Sequence, residues 1–352
     1  MIWSDNVMQA CIYNQHGEFE LVEKLKPKVK DDTAIIKVLA TSICGTDFRT
    51  YLHGSTKIIP DTTVGHEMCG EIVEIGDKIQ AFYKGDIVAV APALGCGECY
   101  MCKKGHPNMC DSLQTIGFRF DGSFAEYMEI PAQYFKQGNV NHVPNGVAYE
   151  AAALAEPIAC AVNAQEALHI EKGDYVAVFG SGFIGCSHAE LAFMNGADRV
   201  IMIEPNSVRL ETALKLVPKV KMIGSQDDLY GKAMELTDGR GVDVAIVACS
   251  AGIAQENAQK LIAKRGRISL FGGLTGTGKG FIDSNTVHYK ELGIFGVHAS
   301  TPCQNRKVLQ WMADGRVDVK KYITREYSID NIMEAFMDIK TKGIMKAVIT
   351  FR

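Results

Sequence analysis

The chain has 352 residues, 37 basic and 41 acidic, with a formal net charge of -4 and 47% hydrophobic residues. That length suits two domains, each able to bury a core. Intermixed charges exclude the basic stripe of a nucleic-acid surface. No run of eighteen apolar residues occurs, and the opening MIWSDNVMQACIYNQ has no basic region followed by an apolar one. A cytoplasmic protein with neither membrane nor nucleic-acid partners is expected.

Along the chain, the first half alternates short apolar runs with Gly, Pro, Asp and Asn: AIIKVLA (34–40), CGEIVEIG (69–76), DIVAVAP (86–92) and GSFAEYMEI (122–130). These predict short strands of a β-rich domain. Near Val147 the character changes. EAAALAEPIACAVNAQEALHI (150–170) has helical spacing, and YVAVFG after it is a continuous apolar run of the buried parallel type. Strands and helices then alternate through VIMIE (200–204), SVRLETALKLV, VDVAIVAC (242–249), AQENAQKLIA and RISLFGG (267–273), which implies a doubly wound parallel sheet. A helix, RKVLQWMADG, and a last strand, KAVITF, close the chain. The α/β reading divides it into residues 1–154, 155–290 and 291–352, the last segment returning to the first domain.

The stretch CGECYMCKKGHPNMC places Cys96, Cys99, Cys102 and Cys110 at spacing C-x2-C-x2-C-x7-C inside a lobe of residues 95–111. Eleven cysteines would suit a disulfide framework only in a short secreted chain. Gly95, Gly97 and Gly105 allow turns around an ion, and four thiolates closing a tetrahedron are the pattern of structural zinc. A Cys-ligated iron cluster is the rival, but no second cluster motif accompanies it.

In FGSGFIG (179–185), Gly180, Gly182 and Gly185 stand after a predicted strand and open a helix, with Phe183 and Ile184 before the third glycine. This is the dinucleotide fingerprint, the helix N-terminus receiving a pyrophosphate. The next strand ends at Glu204, placed to accept hydrogen bonds from ribose hydroxyls and to repel a 2′-phosphate, so NAD is expected over NADP. Arg209 lies near the adenosine end. A second glycine loop, GGLTGTGKG (272–280), spaces Gly273, Gly278 and Lys279 like a Walker loop, but Gly280 stands where Ser or Thr is required.

A third constellation lies in CGTD (44–47) and GHE (65–67). Cys44, His66 and Glu67, with the later Glu156, offer the mixed ligands of a zinc site that keeps one position open. Asp47 is placed as a partner fixing the His66 tautomer, or as a turn residue after Gly45.

GHEMCGEIVEIGDKI (65–79) is similar to the zinc signature of the medium-chain dehydrogenase/reductase superfamily. CGTD, the four-cysteine lobe, the glycine motif and Glu204 follow in that family's order. EPIACAV (156–162) and HYKEL (288–292) resemble its sorbitol, or polyol, branch. The resemblance implies a GroES-like catalytic domain, a Rossmann domain and a cleft holding zinc beneath the nicotinamide. It also implies two zinc ions per chain, NAD, and a homodimer or homotetramer. Cys44, His66 and Glu67 would hold the catalytic zinc, with Glu156 as a ligand or as a partner through its water, and Thr46 would begin the proton path. Many relatives carry histidine five residues after the cysteine, where this chain has Arg49; His53 reads as an exposed loop residue.

The reaction so implied is hydride transfer between NAD and a secondary alcohol, most simply a polyol or a sugar-alcohol phosphate. L-Threonine or a simple secondary alcohol is the alternative within the superfamily. Tyr51, Arg119, His298 and Arg306 are candidates to border the substrate. A zinc-independent reductase would have no need of Cys44, His66 and Glu67, and a non-enzymatic NAD or zinc sensor would need no open metal position.

Overall fold

The computed structural model describes residues 6–274 and 279–351. Gly278, part of the Walker-like loop, lies outside them. The chain separates into two compact units, Met1–Ala159 with Ala299–Arg352, and Cys160–His298. Composition places the boundaries before Ala155 and after Lys290. The observed first division falls instead within the helix Ala155–Leu168, which is continuous across it.

The first unit is built on a seven-stranded sheet. Its order runs Val140–His142, Ile87–Val90, Glu67–Ile75, Thr33–Ser42, Lys346–Thr350 and Ile323–Ser328, with Tyr127–Pro131 also paired to Thr33–Ser42. Thr33–Ser42 is long and rich in β-branched residues, and Ala34, Ile36 and Val38 point into one core with Met68, Ile72, Val88 and Ile130. Val348 pairs with Ser42 and Ile349 with Thr41, antiparallel, so the end of the chain lies beside the strand that leads into Cys44. Val7–Tyr13, Phe19–Leu25 and Thr62–Thr63 form a smaller sheet that reading for hydrophobic runs did not resolve. Tyr13, Phe19, Phe124 and Phe336 fill a second core.

The second unit is a six-stranded, wholly parallel sheet in the order Lys221–Ile223, Arg199–Ile203, Tyr175–Phe179, Val242–Val247, Ile262–Leu270, Gly293–Gly296. Numbered within the unit this is 3-2-1-4-5-6, the Rossmann order, in which the winding reverses between the first and fourth strands. Val176, Val178, Val200, Ile201, Ala245 and Ile246 are fully buried, which is why these strands read as unbroken apolar runs. The short strands Lys221–Ile223 and Gly293–Gly296 carry no such run and sit at the two edges. Among the described residues no helix is long and apolar enough to cross a membrane.

The helix Ala155–Leu168 ends on His169, whose φ of +47° is the left-handed turn that usually takes glycine. Arg267, from the fifth strand of the parallel sheet, caps it. Its Nη1 donates to the carbonyls of Leu168 (3.0 Å) and His169 (2.7 Å), and its Nη2 donates to Asp174 at 2.7 Å. The helix-end carbonyls and the nearly buried Asp174 carboxylate share one guanidinium. Replacing Arg267 with leucine is expected to cost about 2–3 kcal/mol in urea unfolding, because it removes the counter-ion of a carboxylate that keeps only the Glu171 N–H among the described residues and takes one donor from each of two helix-end carbonyls. A loss within about 0.5 kcal/mol would reduce the clasp to an ordinary surface pair.

Candidate active site

The strand Thr33–Ser42 runs directly into Cys44, which caps the helix Gly45–His53. The cap is reciprocal: the Thr46 N–H donates to Cys44 Sγ at 3.4 Å, and Asp47 Oδ2 accepts from the Cys44 N–H at 3.0 Å. The thiol therefore sits at a helix N-terminus, with a backbone N–H pointing at its sulfur. His66 and Glu67 come from the start of the adjacent strand. Gly65 before them has a φ of +91°, and a Cβ there would stand 2.5 Å from the Phe124 ring, so the approach to His66 requires glycine. The ring of Phe118 lies 5.9 Å from that of His66, a neighbour that no sequence signal marked.

Cys44, His66 and Glu67 place their ligand atoms within 4.8 Å of one another. Glu156, in the first turn of its helix and buried, is not part of that group. Asp47 completes the cap and places Oδ1 3.4 Å from His66 Nδ1. Burial opposes charging of His66, but the Asp47 carboxylate and the Cys44 sulfur outweigh it and hold the imidazole pKa well above its usual value. A buried imidazole flanked by a carboxylate and a thiol is a setting that suits a cation. Glu67 has no exposure to water, and its Oε1 has no hydrogen-bond partner among the described residues. An orphaned carboxylate oxygen beside a thiol and an imidazole is the donor set of zinc, so the residues fit the metal.

The four-cysteine lobe also fits zinc. All four Sγ atoms lie within 4.8 Å of one another, with Cys99 and Cys110 sulfurs 3.8 Å apart. The N–H groups of Glu98 and Cys99 point at Cys96 Sγ and push its pKa down to about 6, whereas desolvation pushes Cys102 up to about 12. A Cβ on Gly95 would stand 2.7 Å from Cys102 Sγ, so the cage closes around a glycine.

In the second unit, Gly180 turns the chain at a φ of +102°, a Cβ on Gly182 would meet nothing within 4 Å, and one on Gly185 would collide with the Gly180 carbonyl. The three glycines thus do different things, giving in order the turn, an open face for an approaching ligand, and close packing of helix on strand. The helix Phe183–Met194 opens directly from this loop, bringing Phe183 and Ile184 into its first turn. Glu204 is buried; Oε2 accepts from the N–H and Oγ of Ser181 at 3.0 and 3.3 Å, and Oε1 from the Asn206 N–H at 3.0 Å. Three of a carboxylate's roughly four acceptor sites are therefore taken. Arg209 is exposed, its backbone N–H capped by Asn206.

Tyr51 stacks on Phe336 at 4.9 Å and belongs to an aromatic core, Arg306 Nε donates to Asn141 at 3.0 Å, and Arg119 and His298 are exposed. His53 ends its helix, exposed, and Arg49 is half-buried.

The alcohol dehydrogenase GroES-like domain model matches residues 30–140, and the zinc-binding dehydrogenase model matches residues 184–314. The chain is 35% identical to L-threonine 3-dehydrogenase of Pyrococcus furiosus over 90% of each chain. It is 31% identical to sorbitol dehydrogenase of Halalkalibacterium halodurans over 97% of this chain and 99% of that one. A solved structure from Sinorhizobium meliloti 1021, described as a zinc-binding dehydrogenase bound to NADP, superposes with a TM-score of 0.90 at 26% identity, covering 99% of this chain and 100% of that one.

Serine at Cys99 is expected to lower zinc content from two ions per chain to one and to depress the melting temperature, while the folded fraction keeps turnover. Loss of the Cys44-site zinc with an intact lobe would mean that the roles of the two sites are exchanged. Two cysteine-containing metal groups, a glycine turn built for a dinucleotide and two matching domain models place this chain in the zinc-dependent medium-chain alcohol dehydrogenase family, whose members are NAD(P)-dependent oxidoreductases acting on CH–OH donors.

Proposed function

We propose that the protein interconverts a polyol, or a sugar-alcohol phosphate, and the corresponding ketose, with hydride exchanged between the secondary alcohol and NAD. The observation that carries this reading is the Cys44, His66 and Glu67 group, in which His66 and Glu67 are buried and one carboxylate oxygen has no hydrogen-bond partner among the described residues. The similarity to a sorbitol dehydrogenase along 97% of the chain supports the polyol class. The similarity to an L-threonine 3-dehydrogenase favours the second reading, threonine as substrate. A homodimer or homotetramer accords with both.

Cys44, His66 and Glu67 hold the metal, and Glu156 completes or supports the set. When bound, zinc supplies Lewis acidity that lowers the pKa of a substrate hydroxyl. Asp47, whose Oδ1 lies 3.4 Å from His66 Nδ1, would position the His66 ring toward the metal. Thr46, in the helix turn that follows Cys44, takes the hydroxyl proton outward. Gly180, Gly182, Phe183, Ile184 and Gly185 give the pyrophosphate a helix N-terminus, and Glu204 spends its remaining acceptor capacity on the ribose hydroxyls. Arg209 borders the adenosine.

The test is NADH formation from sorbitol, xylitol, ribitol, galactitol, their phosphates, L-threonine and simple secondary alcohols, with and without a chelator. Chelator-sensitive turnover of one polyol class, abolished in Cys44→Ser with NAD affinity nearly unchanged, is expected. Turnover of threonine alone would select the second reading, and NAD binding without turnover of any alcohol would favour a sensor. Glu204→Ala should reduce the NAD over NADP preference about 10- to 100-fold, the worth of hydrogen bonds to a charged group. An unchanged ratio would remove Glu204 from ribose recognition.

A further inference from the structure

The buried surroundings of Glu67 contain a second charged side chain that no motif indicates. Lys346, at the start of the last strand and 5% exposed, donates from Nζ to Glu67 Oε2 at 2.5 Å and to the Ile43 carbonyl at 2.9 Å. Ser42 Oγ donates to the same Oε2. Thr41 Oγ1 donates to the Glu67 backbone carbonyl at 2.8 Å and pairs with Ser123 Oγ at 2.6 Å. The strands carrying these groups are hydrogen-bonded neighbours: Ser42 pairs with Glu67 on one side and with Val348 on the other, and the Ile43 N–H donates to the Ala347 carbonyl.

We propose that Lys346 and Ser42 form a clamp that fixes Oε2 and presents Oε1 of Glu67 as a single ligand oxygen to the metal held with Cys44 and His66. This rests on the zinc reading of that group. The asymmetry of the carboxylate is the observation: one oxygen takes an ammonium and a hydroxyl, while the other, equally buried, has no hydrogen-bond partner. An ammonium already held by the Ile43 carbonyl cannot follow Oε2 toward the metal, so the carboxylate cannot turn to chelate through both oxygens. The clamp also sets charge. The ammonium offsets the charge of the Glu67 carboxylate, and a divalent ion facing one fewer uncompensated anion keeps more of its electrophilicity. Lys346 and Ser42 are thus positioning residues, and the final strand is part of the metal site.

The experiment strips metal from the full-length protein and titrates it with Co2+ against a chromophoric chelator, following the visible spectrum of the Cys44 site and that of the four-cysteine lobe. Lys346→Met is expected to weaken cobalt at the Cys44 site about 10- to 100-fold and to alter its visible bands, with the lobe unchanged and Lys346→Arg restoring most of the affinity. Wild-type affinity and spectrum in Lys346→Met would overturn the clamp. If Lys346→Met does not fold, Ser42→Ala carries the test: a several-fold loss and an altered spectrum at the Cys44 site support the clamp, and unchanged values overturn it. Failure of the zinc reading itself looks different, since the wild-type protein would then bind cobalt only in the lobe and Glu67→Ala would change nothing.

Discussion

A carboxylate sealed from water is the constraint around which the first unit is arranged. Transferring a lone ionised Glu67 into a dry interior is prohibitive, so the surrounding chain has to supply compensation. It does so from three places in the sequence: a lysine on the last strand, a hydroxyl on the strand before Cys44, and the unfilled side that faces the thiol and imidazole. The central pairing of strands in the seven-stranded sheet is what brings those three together, and the long return of the C-terminal segment follows from the need for Lys346.

The two metal-ligand groups solve different problems. The lobe cysteines are close in sequence, and turns at Gly97 and Gly105 with positive φ fold a short loop onto itself. Its backbone N–H groups do the local electrostatic work of favouring thiolates. The Cys44 group is assembled across strands, with one ligand at a helix cap and two at the start of the neighbouring strand. A four-thiolate cage leaves no open position and contributes to folding, whereas a mixed group with few protein ligands leaves room for chemistry. The second unit follows the same economy. Glu204 organises the glycine loop through Ser181 and keeps part of its acceptor capacity unfilled by the described residues.

The chemistry was legible wherever it depended on neighbours in the chain. C-x2-C-x2-C, the three glycines and the buried parallel strands are short-range patterns, and the sequence by itself determined the metal lobe, the dinucleotide turn and the α/β class through spacing and apolar run length. What only the tertiary structure decided was long-range. No motif marks Lys346 in KAVITF or Ser42 in its strand; only pairing across a separation of 279 residues makes the lysine a buried partner of Glu67. Tyr51 and Arg306, read as substrate neighbours, are held instead by Phe336 and Asn141, contacts that periodicity cannot encode. The small edge strands and the Val7–Tyr13 sheet escaped for a related reason: their pairing is set by partners elsewhere in the fold, and a strand's own composition fixes which face is apolar but not which strand it meets.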